Sequence, residues 1–183
     1  MTEIADRIRT LSDAFEAKVV AVPPERWSSP SPCEGWDARG VVRHLVDSHG
    51  MMLKPLGRDL SAAPSVDDDP LGAFRPARAD VEAVLADPEL AGTEYDGFFG
   101  RTRVESTIDT FLGFDLVVHG WDLARAAGLD ETMDPEEVDR VAEQAKALGD
   151  NLRQPGVCGP ELPAPPGATA QERLLCFLGR DPR

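Results

Sequence analysis

From Val104 to Ala127 the sequence is organised as one long helix. Ile108, Phe111, Leu112, Val118 and Leu123 form its apolar stripe, Thr102 stands before it as a cap, and Gly128 follows as a stop. At about 24 residues it spans about 36 Å, so any fold this chain adopts is built around it. The stretch Asp115-Leu116-Val117-Val118-His119-Gly120-Trp121-Asp122 sets polar chemistry on that apolar body. Asp115 and His119 are four residues apart, so they sit one turn apart and about 40° around the axis. Such a pair can hold one divalent metal ion, and it can equally be a hydrogen-bonded pair inside a bundle. Asp122, three residues past His119 on nearly the same face, is a second carboxylate candidate.

The rest of the chain repeats the helical pattern. Ile4, Ile8, Leu11, Phe15 and Val19 make a stripe that begins after Thr2 and ends at Pro23-Pro24. Asp37 is placed to cap a second helix over about 38–54, with Val41, Val42, Leu45, Val46, Met52 and Leu53 inward. His44 lies among these residues, where an imidazole serves either as a core or rim group or as a ligand. Asp47 shares its face, whereas His49 falls about 140° away around the axis. A third helix is expected over about 70–85, with Phe74, Ala77, Val81, Val84 and Leu85 inward and Pro76 as a sign of a late start. Asp134-Pro135-Glu136-Glu137 starts another helix, expected to reach about Arg153, and a short last one covers about 169–178.

Loops fill the remainder. Residues 25–36 carry two prolines and a glycine, and Asp67-Asp68-Asp69 lacks the spaced pattern of a calcium loop, so it reads as a solvated cap for the third helix. Residues 87–100 are expected to be irregular, with room for a short extended piece, and with Tyr95, Phe98 and Phe99 as a flap over the core or a wall of a ligand pocket. Pro155 to Gly167 reads as a wrapping loop. No clear strand pair and no glycine-rich phosphate loop is legible, which predicts an all-α fold in a single domain over 1–183.

Charge and cysteine usage limit the partners. With 19 basic against 33 acidic residues the net charge is −14, which argues against nucleic acid or an anionic membrane surface. No apolar run is long enough for a membrane span, and the N-terminus carries no secretory pattern. Cys33, Cys158 and Cys176 are odd in number and irregular in spacing, as expected of thiols in a reducing cytoplasm. Cys33 reads either as a small buried hydrophobe or as a thiol near a site. A helical bundle of this size is compatible with pairing into a homodimer.

Ser31-Pro32-Cys33-Glu34-Gly35-Trp36-Asp37 followed by His44-Leu45-Val46, the segment Asp115 to Ala124, and the ending Arg173 to Pro182 together resemble the DinB/YfiT-like superfamily. The resemblance is to its mycothiol-dependent maleylpyruvate isomerase N-terminal branch, and in the tail to an actinobacterial metal-binding subfamily. It implies an up-down-down-up four-helix bundle whose metal ligands are His44, Asp115 and His119. The branch has Glu where this chain has the shorter Asp115, and classical superfamily members use three histidines. The isomerase has a second, C-terminal domain for which this chain leaves no room, so isomerase activity itself is not expected to carry over.

Two imidazoles and one carboxylate suit zinc first, and also nickel, iron(II) or manganese, and three protein ligands leave an open position. The resemblance therefore implies a metal-dependent enzyme that activates a thiol such as mycothiol against a small electrophile, with substrate between Tyr95–Phe99 and the loop Trp27–Trp36. His49 and Asp122 stand as rim or supporting groups. The alternatives are a non-enzymatic bundle that binds a metal or small ligand, and a buried Asp115–His119 pair that binds no metal.

Overall fold

The computed structural model describes residues 2–154 and 157–183. Met1, and Pro155 and Gly156 of the expected Pro/Gly-rich loop, lie outside the described residues. The chain forms two compact units, Met1–Asp130 and Glu131–Arg183.

The first unit is an all-α, DinB-like bundle. Its long helices are α1 (Glu3–Ala21), α2 (Ala38–Leu53) and α3 (Pro70–Ala86), together with α6 (Gly113–Ala127). Each packs on two others: α1 on α3 and α6, and α2 on the same two. That closed ring lets every apolar stripe face one core. Ile8, Phe15, Leu45, Phe74, Leu112 and Leu123 are buried there, with the rings of Phe15 and Phe74 5.0 Å apart. The expected caps are in place: Thr2, Asp37 and Asp69 accept from the backbone N–H groups of Ala5, Gly40 and Gly72. α3 begins at Pro70 and runs through Pro76, so that proline does not delay the start.

Two expectations need correction. The segment 87–100 is more regular than expected, and its short extended piece belongs to a strand pair. Asp87 caps the short α4 (Pro88–Ala91), and β1 (Glu94–Gly97) pairs antiparallel with β2 (Gly100–Arg103). The strands have four residues each, too few for an alternating pattern to stand out. The turn closes at Gly100, whose φ of 102° is open to glycine. The long helix over 104–127 is also not regular throughout. α5 (Val104–Thr107) passes into a π-helical segment, Ile108–Leu112, before α6 begins.

The second unit contains α7 (Pro135–Leu148), packed on α8 (Ala170–Phe177). α7 stops at Gly149, which has φ 53°, and the residues to Arg153 form a 3-10 turn instead of further α-helix. Thr169 and Glu172 close a reciprocal capping box on α8. No helix among the described residues is long and apolar enough to cross a membrane.

Candidate metal centre

α2 and α6 are neighbours, and their facing stripes bring His44, Asp115 and His119 together. One ligand atom from each of the three lies within 4.8 Å of the others. His44 Nε2 is 3.2 Å from Asp115 Oδ2, and His119 Nε2 is 3.9 Å from Asp115 Oδ1. Ligand atoms held about 2.1 Å from one tetrahedral ion are about 3.4 Å apart, so this donor set fits a divalent metal with small adjustments. The two imidazoles meet edge to face at 4.6 Å between centroids.

Further polar groups stand behind the three and hydrogen-bond to them. Asp122 is fully buried, and its Oδ2 accepts a hydrogen bond from His119 Nδ1 at 2.8 Å. That bond fixes the proton on Nδ1 and leaves the Nε2 lone pair facing Asp115 and His44. Cys33 Sγ donates to the same Oδ2 at 3.2 Å and stands 3.8 Å from His119 Nδ1. Cys33 is thus only half-buried and belongs to the site, not to the apolar core. Cys33, His119 and Asp122 form a second cluster of potential ligands that shares His119 with the first.

Ser48, one turn after His44 on α2, is buried and donates to Asp115 Oδ2 at 2.7 Å. Sequence reasoning missed it, although the i, i+4 spacing from His44 on an otherwise apolar face was the available signal. Burial alone would raise the Asp115 carboxyl. The hydrogen bond from His44, the charges of His119 and His44, and the Ser48 hydroxyl outweigh burial and hold it below the usual carboxylate range.

The loop before α2 supplies the cover. Gly35, with φ 78°, makes the turn in which the Trp36 N–H donates to the Cys33 carbonyl, and Pro30 pairs with Asp37 across the loop. The turn lays the Trp36 ring over His44 and His119, at 4.9 and 5.7 Å. A Cβ on Gly40 would lie 3.1 Å from Trp36 Cβ, tighter than an ordinary contact, so glycine in the first turn of α2 leaves the indole its room. Trp36, Asp37, Gly40, Arg43, His44 and Asp47 line a pocket of about 440 Å³ that opens onto the His44 face.

His49 lies elsewhere. It is fully buried in the bundle core, its Nδ1 is 2.6 Å from the Leu45 carbonyl, and its ring stands edge-on to Phe74 at 5.3 Å. Its expected place at the rim is therefore corrected: the 140° offset from His44 turns it inward, away from the site. Burial, partly offset by the Leu45 carbonyl, depresses its pKa to about 4.

Helices in a closed ring with a His/Asp/His cluster between two of them define a DinB-like bundle protein. The chain belongs to the mycothiol maleylpyruvate isomerase N-terminal domain family, whose model matches residues 8–124. It is similar to two uncharacterized proteins of Mycobacterium tuberculosis, from strains CDC 1551 / Oshkosh and H37Rv. Each is 28% identical over 176 residues, covering 93% of this chain and 94% of the relative. No solved structure gives a significant match to the chain.

Proposed function

We propose that His44, Asp115 and His119 hold one divalent metal ion, zinc first, in an enzyme of the cytoplasm that joins a low-molecular-weight thiol such as mycothiol to a small electrophile. The observation that carries this reading is the convergence of three ligand atoms from two helices within 4.8 Å, with His119 fixed from behind by Asp122. The family match supports the thiol.

When bound, the ion supplies Lewis acidity and lowers the pKa of a thiol or water in the position the three side chains leave open. The chain's own residues do the rest. Ser48 orients the Asp115 carboxylate by donating to its Oδ2, and His44 turns its Nε2 toward the same oxygen, 3.2 Å away. Asp122 keeps the His119 proton on Nδ1, so Nε2 remains a lone-pair donor. Trp36 covers both imidazoles and limits water on that side. The pocket beside His44, with Asp37, Asp47 and Arg43 on its walls, offers hydrogen-bonding partners to a polar thiol.

Elemental analysis of untagged protein beside His119→Ala tests the site. About one equivalent of metal in the parent, lost in the variant, is the expected result. No metal after incubation with zinc, nickel, manganese and anaerobic iron would overturn it. A cobalt(II)-substituted sample whose visible spectrum shifts on adding mycothiol supports the thiol, and an unchanged spectrum leaves a metal-binding bundle without that cosubstrate.

A further inference from the structure

The hairpin β1–β2 carries an anomaly for so acidic a surface. Phe98 and Phe99 at its tip are 77% and 57% exposed, and Phe98 is the most exposed large apolar side chain among the described residues. Their rings meet edge to face at 4.8 Å, and Phe99 lies parallel to Phe111 at 6.2 Å and 7°. Phe111 sits in the π-helical segment, four residues before Asp115. Phe111 and Asp115 are four residues apart on consecutive helical segments, so their side chains lie on neighbouring turns. The aromatic run Phe98–Phe99–Phe111 therefore leads to the metal-ligand helix one turn from a ligand.

The hairpin is fastened there. The hydroxyls of Tyr95 and Thr107 share a hydrogen bond of 2.8 Å, and Val104 N–H donates to the Thr93 carbonyl at 3.0 Å. The strands below the tip carry Glu94 and Asp96 beside Arg101, a mixed-charge stem unsuited to an anionic bilayer.

We propose that Phe98 and Phe99, backed by Phe111, form the seat for the non-reacting part of the electrophile. They would select substrates with a planar, apolar group about one ring in size. The inference rests on the metal site proposed above. It assigns the two halves of the reaction to different surfaces: the thiol to the polar pocket beside His44, the electrophile to the aromatic hairpin.

The test uses the full chain loaded with cobalt(II) and three probes whose imidazole nitrogen takes the open position: 1-methylimidazole, 1-phenylimidazole and 1-(3-phenylpropyl)imidazole. Binding is read from the visible spectrum, independently of any activity. At least one arylated probe is expected to bind about tenfold more tightly than 1-methylimidazole, from the apolar area it buries. In Phe98→Ala and Phe99→Ala that advantage disappears while 1-methylimidazole affinity is kept. Both positions are exposed, and unchanged far-ultraviolet circular dichroism confirms folding. If 1-methylimidazole binds but the aryl group gives no advantage, or the advantage survives in both variants, the aromatic seat is overturned and the metal site stands. Failure to take up cobalt(II) overturns both. If the parent is a dimer and the Phe98→Ala, Phe99→Ala double variant a monomer, the tip is a contact between copies and the proposal falls.

Discussion

Asp122 Oδ2 accepts two hydrogen bonds at once, from His119 Nδ1 at 2.8 Å and from Cys33 Sγ at 3.2 Å. One buried oxygen thereby ties the loop before α2 to the orientation of a ligand on α6. A carboxylate in this place does more than neutralise charge, because it decides which imidazole nitrogen is free.

Asp122→Asn is therefore expected to weaken metal binding by about 10–100-fold while leaving the helical content intact. The amide can present its NH₂ to Nδ1, which favours the wrong tautomer. Zinc titration with a competing chromophoric chelator measures the change. An affinity equal to the parent's would mean that His119 is held by its packing alone.

Ser48→Ala removes the hydroxyl that donates to Asp115 Oδ2 at 2.7 Å. A partly buried carboxylate then loses a donor, and the metal-free protein should be less stable by about 1–2 kcal/mol. Urea unfolding of the two metal-free proteins gives the difference. Metal should narrow it, since ligation supplies Asp115 with another partner.

His49 gives the metal-free protein a pH dependence of its own. Its folded pKa is about 4 against 6.5 for an ordinary imidazole, so as the pH falls the unfolded chain takes up the proton first. The associated stability is fully present above about pH 6.5 and is lost as the pH drops toward 4, by up to about 3 kcal/mol. His49→Leu should flatten that part of the profile, read as the urea unfolding free energy at pH 7.5 minus that at pH 4.5. A variant with the parent's slope would assign the acid sensitivity to other groups.

Gly40→Ala separates the site from the fold. Alanine is the better helix former by about 1 kcal/mol, which favours the folded state. Its Cβ, however, would meet Trp36 Cβ at 3.1 Å and push the indole away from His44 and His119. The melting temperature is expected to hold while tryptophan emission shifts to the red and metal affinity drops. A lower melting temperature with unchanged emission would contradict this account.

How much of this was legible in the sequence follows from the range of each signal. Asp115 and His119 stand four apart on one helix, so their meeting needed only local periodicity, and the Asp37, Asp69 and Asp134 caps were equally local. Joining His44 to them required knowing that α2 packs beside α6, which the family resemblance implied and periodicity could not. Ser48 carried a local signal, but a serine on an apolar face is too common to stand out before Asp115 is known to face it. Cys33 was placed correctly by neither spacing nor hydropathy. Its position depends on the turn at Gly35 and on a partner 89 residues away in the sequence. The π-helical segment left no trace in the apolar pattern, because Ile108 and Leu112 are buried in either geometry.

That segment has a consequence for anyone altering the molecule. A π turn holds one residue more than the α-helix it interrupts, and each residue turns a helix by about 100°. Ile108–Leu112 lies between the foot of the hairpin and Asp115, so the hairpin's bearing on the ligands is set by a residue count as well as by contacts. Deleting one residue there would convert the π turn into an α turn, so the hairpin and the ligand helix keep their bearing, whereas the same deletion in the regular helix on either side would swing one past the other by about 100°. The π turn thus acts as a buffer, the one place on this helix where a single-codon deletion leaves the aromatic tip aimed as before.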